Sequence, residues 1–94
     1  MTNFVRLMRT DNDLIAATRR GEKAAFGELA RRYERAVWAT AWRVVRNYHA
    51  VQDITQETFV QAYRRIDQLR DPTRFGVWLL RIAHREAMRT ARQM

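Results

Sequence analysis

The chain has 94 residues but only three glycines and one proline, so the backbone has few places at which it can turn sharply. Its apolar side chains recur at spacings of three and four residues along nearly the whole length, which is the period of an amphipathic helix. No strand-like alternation, internal repeat or low-complexity linker interrupts this pattern. We therefore predict an all-α fold, a compact bundle of four helices.

Helix boundaries follow from capping signals as well as from periodicity. Thr10 followed three residues later by Asp13 is a capping-box pattern, and Gly21 suits a left-handed stop at the end of the same helix. The next helix is apolar on two sides, so we expect it to be central in the bundle. Asp71 followed by Pro72 is typical of a helix start. The predicted helices run from about Asp11 to Arg20, Lys23 to Arg46, His49 or Ala50 to Ile66, and Pro72 to Arg92.

The composition narrows the class of protein. Cysteine is absent, which suits a reducing cytoplasm and excludes thiolate metal sites and thiol catalysis. No apolar run approaches membrane-spanning length, and Arg6 and Arg9 interrupt the apolar start, so we expect neither membrane insertion nor a signal peptide. The formal net charge is +8, which favours nucleic acid or another polyanion as partner. A basic surface that serves only solubility is the alternative.

One stretch departs from this basic character. Between Asn47 and Tyr63 there is no arginine or lysine, and the only charges are Asp53 and Glu57. A helix here places Gln56 and Val60 on the same exposed side as the two carboxylates. Because neither histidine stands at ligand spacing, metal binding and catalysis are disfavoured. The pattern favours a docking surface for a basic protein partner, with ordinary helix solubility as the alternative.

The last predicted helix carries a basic stripe. Its arginines at positions 81, 85, 89 and 92 project along one side at intervals that can follow a phosphate backbone. Trp78 heads the same stripe, and an aromatic ring beside cations is what base stacking requires. A solvated helix face with a core tryptophan at its edge is the alternative interpretation.

Several motifs together resemble region 2 of an extracytoplasmic-function sigma factor. They are Asp11-x-Asp-Leu-Ile, Gly21-Glu-Lys-Ala-Ala-Phe26, Asp53-Ile-Thr-Gln-Glu-Thr-Phe59 and Phe75-x-x-Trp-Leu-x-Arg-Ile-Ala83. The resemblance spans Asp11 to about Arg92, with residues 1–10 as an N-terminal extension and residues 11–94 as the domain. It implies a transcription initiation subunit that is not an enzyme and has no cofactor.

The resemblance also implies two partners. The first is the RNA polymerase core, whose beta-prime clamp helices would contact Asp53, Gln56 and Glu57, with Thr58 and Val60 as neighbours. The second is the single-stranded non-template strand of the minus-ten promoter element. The implied DNA-binding residues are Arg65, Ile66, Asp67, Gln68, Leu69 and Arg70 in the loop that receives a flipped base, and Arg74, Trp78, Arg81, His84, Arg85 and Arg89 around the last helix. An anti-sigma factor is a further expected partner.

The chain departs from the family pattern at several positions. His84 and Arg85 stand where the family usually has Arg-Asn, which affects the expected promoter preference. Glu86 and Arg89 replace residues that are commonly apolar and acidic. The family has a second DNA-binding domain, region 4, beyond the position of Met94, so we expect a fragment of a longer sigma factor or a single-domain paralogue.

Two other functions stay open on the sequence alone. The first is a helix-turn-helix regulator that reads duplex DNA. Its turn usually has three or four residues, shorter than the predicted connection from Asp67 to Thr73. The second is a sigma-like protein-interaction module whose basic stripe never meets DNA.

Overall fold

The structure is a computed structural model that describes residues 9–94; of the predicted N-terminal extension only Arg9 and Thr10 lie within that range. Four α-helices and two short 3-10 turns make up the described chain, which contains no strand. The helices are α1 (Asp11–Arg19), α2 (Lys23–Val44), α3 (Tyr48–Arg64) and α4 (Phe75–Gln93), and the 3-10 turns Ile66–Gln68 and Pro72–Arg74 lie between α3 and α4. The all-α prediction is confirmed.

The ends of α1 form as the capping signals predict. The Asp13 backbone N–H donates to the Thr10 hydroxyl at 3.1 Å, and the Thr10 N–H donates to the Asp13 carboxylate at 3.2 Å. Gly21 has a φ of 98°, a left-handed conformation that a side chain would disfavour. The connection from α1 to α2 is therefore determined locally.

The turn between α2 and α3 lies slightly earlier than predicted. Val45 is already extended, and α3 begins at Tyr48 because the Asn47 side chain accepts the Ala50 N–H at 2.9 Å. An asparagine oxygen at this position satisfies one of the backbone donors that a helix start leaves free.

The start of α4 differs from the prediction by one turn. Asp71 and Pro72 begin a 3-10 turn that continues into α4 at Phe75. The Asp71 carboxylate accepts hydrogen bonds from the Thr73 hydroxyl at 2.7 Å and the Thr73 N–H at 3.0 Å. The hydrogen bond from the Thr73 hydroxyl, and to a lesser extent that from the Thr73 N–H, lowers the pKa of the Asp71 carboxyl. The first turn after the cap is a 3-10 turn, which closes more tightly than an α-helical turn.

The core confirms that α2 is central, since it packs against the three other helices. The larger apolar cluster joins α1, the first half of α2, the end of α3 and the first half of α4. A smaller cluster closes the other end of the bundle around Ala41, Val51 and Ala87. The connection from α3 to α4 is part of the larger cluster, because Ile66 and Leu69 are buried in it.

Candidate nucleic-acid and protein interfaces

A cleft of about 260 Å³ lies where the α3–α4 connection meets the first turns of α4. We call it the loop cleft. It brings together six of the predicted DNA-binding residues from both segments, namely Gln68, Leu69, Arg70, Arg74, Trp78 and Arg81. Asp71 and Val77 complete the lining. Three arginines face one aspartate here, so the cleft is positively charged and suited to an anionic ligand.

Trp78 is partly buried and contributes to both the core and the loop cleft. Its ring is tilted against the Phe75 ring, with centroids 5.9 Å apart, and it packs on the larger apolar cluster. It also lines the loop cleft beside Arg74 and Arg81. Trp78 is therefore anchored in the core and also forms part of the cleft wall, while its stacking on a base stays a prediction.

The α3–α4 connection is anchored at two points. Ile66 and Leu69 are each 5% exposed and belong to the core, while Asp67, Gln68 and Arg70 are exposed between and beside them. The side chain of Ile66 faces the core and lies outside the lining of the loop cleft, and its predicted DNA contact stays a prediction. Leu69 is buried too, and it reaches the surface only as part of the wall of the loop cleft. Arg65 is exposed, outside that lining.

A second concavity, of about 670 Å³, follows the outer face of α4. We call it the helix groove. His84 and Arg85 line it, together with Val77 and Arg81, which also line the loop cleft. Leu80, Met88 and Arg92 complete its lining. The two concavities are thus one continuous basic surface that runs from the connection to the last turns of α4.

The predicted polymerase-binding residues on α3 divide by exposure. Asp53, Gln56 and Val60 are exposed and Glu57 is partly exposed. We call these four residues the acidic surface. Thr58 is 0% exposed, and its hydroxyl donates to the Ile54 carbonyl at 2.7 Å. The Thr58 side chain therefore faces the core and not the exposed side of α3, and its place next to the partner stays a prediction.

The acidic surface is free of cations in sequence, but two arginines lie beside it in space: Arg64 lines a groove with Val60, and Arg89 lies next to the carboxylates. Arg89 of α4 donates to the Glu86 carboxylate at 2.6 Å and lines a cleft of about 260 Å³ with Asp53 and Glu57. Gln61 of α3 donates to Glu86 at 2.7 Å and to Glu57 at 3.3 Å. We predicted Arg89 in the basic stripe of the last helix, but it lies outside the lining of the helix groove. Its DNA contact stays a prediction.

Val60 lies at a different edge of α3. It lines an apolar groove of about 370 Å³ between α2 and α3, together with Phe26, Phe59 and Tyr63. The Phe26 and Tyr63 rings meet edge to face at 5.2 Å. The groove adds apolar contact area next to the carboxylates, which is the composition of a protein-binding surface.

The sequence analysis did not predict the contacts of two residues near these surfaces, Glu86 and Arg19. Glu86 is 7% exposed and links α4 to Gln61. Its position among the inward-facing residues of α4 could have shown that it is buried. Arg19 contacts the α3–α4 connection from α1, and nothing in the sequence distinguishes it from the other arginines. Within residues 9–94 there is neither a cluster of three metal-ligating side chains nor a helix that could cross a membrane.

Comparison with known proteins gives one family and several relatives. Residues 29–93 match the family Sigma-70 region 2. The RNA polymerase sigma-H factor of Pseudomonas aeruginosa is 36% identical over 73 residues, which cover 78% of this chain and 38% of the relative. The ECF RNA polymerase sigma-E factor of Haemophilus influenzae is 38% identical over 74 residues, 79% of this chain and 39% of the relative. The ECF RNA polymerase sigma factor SigW of Bacillus subtilis is 33% identical over 69 residues, which cover 73% of this chain and 37% of the relative.

A solved structure is similar as well. The NMR structure of an engineered region 2 of sigmaE in complex with GTAAAA has a TM-score of 0.80 and 36% identity. The similarity covers 87% of this chain and 85% of that one. The chain spans well under half the length of the three curated relatives but most of this single region.

Proposed function

The chain belongs to the sigma-70 region 2 family, as its motifs predicted, and from this we propose that it is the promoter-recognition domain of an alternative sigma factor. It acts in transcription initiation by binding and carries out no catalysis. Residues 11–94 form the domain, which has two partners on two surfaces.

The DNA partner is the melted non-template strand of the minus-ten element. The observation that carries this assignment is the loop cleft, where an anchored tryptophan and three arginines surround a space beside the α3–α4 connection. Flipping a base out of the stack costs a few kcal/mol, and a pocket with stacking and charge offsets that cost. The helix groove continues the basic surface for the neighbouring phosphates. The similar sigmaE region 2 was solved in complex with GTAAAA, a sequence of this kind.

The protein partner is the RNA polymerase core, contacted at the beta-prime clamp helices. The acidic surface offers carboxylates to a basic helix, and charge complementarity sets the orientation and the rate of association. The apolar groove beside Val60 supplies the buried area that charges alone do not give. An anti-sigma factor would compete for the same surfaces.

A titration of single-stranded and duplex DNA tests the first assignment. Fluorescence anisotropy with a labelled minus-ten non-template strand should show tighter binding than with the matching duplex. Arg74→Gln should weaken strand binding, because Arg74 lines the loop cleft. The control is Arg35→Gln, which removes the same charge from a cleft formed by α2 residues alone.

Equal or tighter duplex binding would support the helix-turn-helix alternative instead. The connection from α3 to α4, residues 65–74, is longer than the turn of that motif.

Charge reversal tests the second assignment. We expect Asp53→Arg combined with Glu57→Arg to abolish binding to an isolated beta-prime clamp fragment, since both carboxylates would become repulsive. Circular dichroism should show unchanged helicity, because Asp53 is exposed and Glu57 partly so. Glu34→Arg, at an exposed position of α2, is the control. Unchanged affinity of the double variant would remove the acidic surface as the docking site.

A further inference from the structure

Arg19, the last residue of α1, reaches across to the α3–α4 connection. Its Nη2 donates to the Ile66 carbonyl at 3.0 Å and also to the Leu69 carbonyl. Its Nε lies 4.0 Å from the Asp67 carboxylate, which is itself largely exposed. One guanidinium thus contacts three of four consecutive residues that are 47 to 50 positions away in sequence.

These contacts fall on the segment that shapes the loop cleft. The side chains of Ile66 and Leu69 point into the core, and their carbonyls accept hydrogen bonds from Arg19. The Ile66 carbonyl accepts a second hydrogen bond, from the Leu69 N–H at 3.3 Å. Gln68 is left exposed, as part of the lining of the loop cleft.

We propose that Arg19 is a positioning residue for the loop cleft. It holds the α3–α4 connection in the shape that receives a base, and it does not itself line the cleft. The role deepens the proposed promoter-strand binding and rests on it. A connection that is already ordered loses less conformational freedom when the strand binds, so affinity and base discrimination both benefit. Arginine suits this role because its planar guanidinium presents Nη2 to two carbonyls and Nε toward the Asp67 carboxylate at once, whereas lysine offers only one nitrogen.

The competing explanation is that Arg19 attracts DNA by charge alone. Arg19→Lys distinguishes the two explanations, because it keeps the positive charge but has only one nitrogen donor. Arg19→Met removes the charge and the donors. Arg20→Met is the matched control, because the neighbouring Arg20 contacts Glu22 and has no hydrogen bond to the connection.

The first measurement is hydrogen exchange in the free domain. Both Arg19 variants should raise exchange of the Gln68 and Leu69 amides about tenfold relative to amides in the middle of α2, as expected when a charged hydrogen bond is lost. Referring the rate to α2 separates loosening of the connection from general destabilisation. Unchanged exchange in both variants would overturn the proposal.

The second measurement is anisotropy with the single strand GTAAAA and with strands that carry one substituted base. We expect both Arg19 variants to bind GTAAAA about fivefold to tenfold more weakly and to discriminate less between strands, while Arg20→Met keeps wild-type behaviour. Wild-type affinity of Arg19→Lys, with equal weakening in the two methionine variants, would assign the effect to charge and contradict the proposal. If wild-type protein bound no strand, the proposed function would fail, and exchange would still report whether Arg19 holds the connection.

Discussion

The arginines of the chain differ in what their guanidinium groups contact. Arg32 forms ion pairs with Asp11 and Glu28, and Arg89 pairs with Glu86. Within residues 9–94, the arginines of the loop cleft and helix groove form no ion pair; they are Arg70, Arg74, Arg81, Arg85 and Arg92. A guanidinium without a carboxylate partner keeps its full charge for a phosphate. Other arginines, such as Arg35 and Arg43, also lack an ion pair within residues 9–94, so it is the position in the two concavities that makes these five the candidates for the proposed phosphate contacts.

Tyr33 shows how a single polar group ties α1 to α2. Its hydroxyl donates to the Asp11 carboxylate, and burial, followed by that hydrogen bond, raises its pKa to about 12. A phenol whose folded pKa exceeds its unfolded value of about 10 stabilises the fold fully below pH 10. This contribution is lost as the pH rises from about 10 to about 12.

Urea unfolding of wild type and Tyr33→Phe between pH 8 and pH 12 measures this contribution. We expect the wild type to be more stable by a constant amount at the lower pH values, and this difference to shrink above about pH 10. Tyr63→Phe is the control, because the Tyr63 hydroxyl has no hydrogen-bond partner among residues 9–94. A difference that stayed constant up to pH 12 would contradict the assignment.

At the scale of the helices, α4 packs tightly against Tyr33 of α2 at Gly76. A Cβ added there would lie 3.1 Å from Cε1 of Tyr33, a ring that is held by Asp11 and packed edge to face on Phe75. Gly27 in α2 is different, since its Cβ would meet only the flexible end of Arg31, at 3.7 Å. The close contact at Gly76 positions the first turn of α4, which carries one wall of the loop cleft.

Alanine at the two glycines should have opposite effects on stability. We expect Gly76→Ala to lower the free energy of unfolding by about 1–2 kcal/mol, because the Tyr33 ring cannot move without losing its contacts. Gly27→Ala should raise it by about 0.5–1 kcal/mol through helix propensity. Thermal and urea unfolding check both values. Stabilisation by both substitutions would show that the Tyr33 ring adapts freely.

For the whole molecule, the important feature is the separation of charge between two surfaces. The acidic surface and its cleft lie on α3 with Arg89 at the border, while the loop cleft and helix groove lie on the α3–α4 connection and α4. Surfaces of opposite sign on one small domain suit the simultaneous binding of a basic protein and an anionic strand that we propose.

Salt dependence separates the arginines that contact DNA from those that do not. Each phosphate contact with a single strand contributes about 0.7 to the slope of log affinity against log salt concentration. Arg81→Ala combined with Arg85→Ala should therefore reduce the slope by about 1.4. Arg89→Ala should leave it unchanged if Glu86 keeps Arg89 on the acidic side. An equal reduction for Arg89→Ala would return this residue to the DNA-binding stripe.

The helical class, the capped start of α1, the stop at Gly21 and the exposed side of α3 could all be predicted from the sequence. Each depends on interactions within one turn or along one helix, and these leave a periodic or positional pattern in the chain. The residues of the α3–α4 connection that line the loop cleft followed instead from the family resemblance, and only Trp78 and Arg81 also followed from the local pattern of the basic stripe.

The contacts between elements left no such pattern. Three such contacts depend on which helices become neighbours and at what distance. They are the hydrogen bonds from Arg19 to the Ile66 and Leu69 carbonyls, the hydrogen bond from Gln61 to Glu86, and the cleft that Arg89 shares with Asp53. Helical periodicity tells which side of a helix is buried but not which partner covers it. Three-dimensional packing therefore had to show that the acidic surface has an arginine at its edge and that Arg19 of α1 is hydrogen-bonded to the α3–α4 connection.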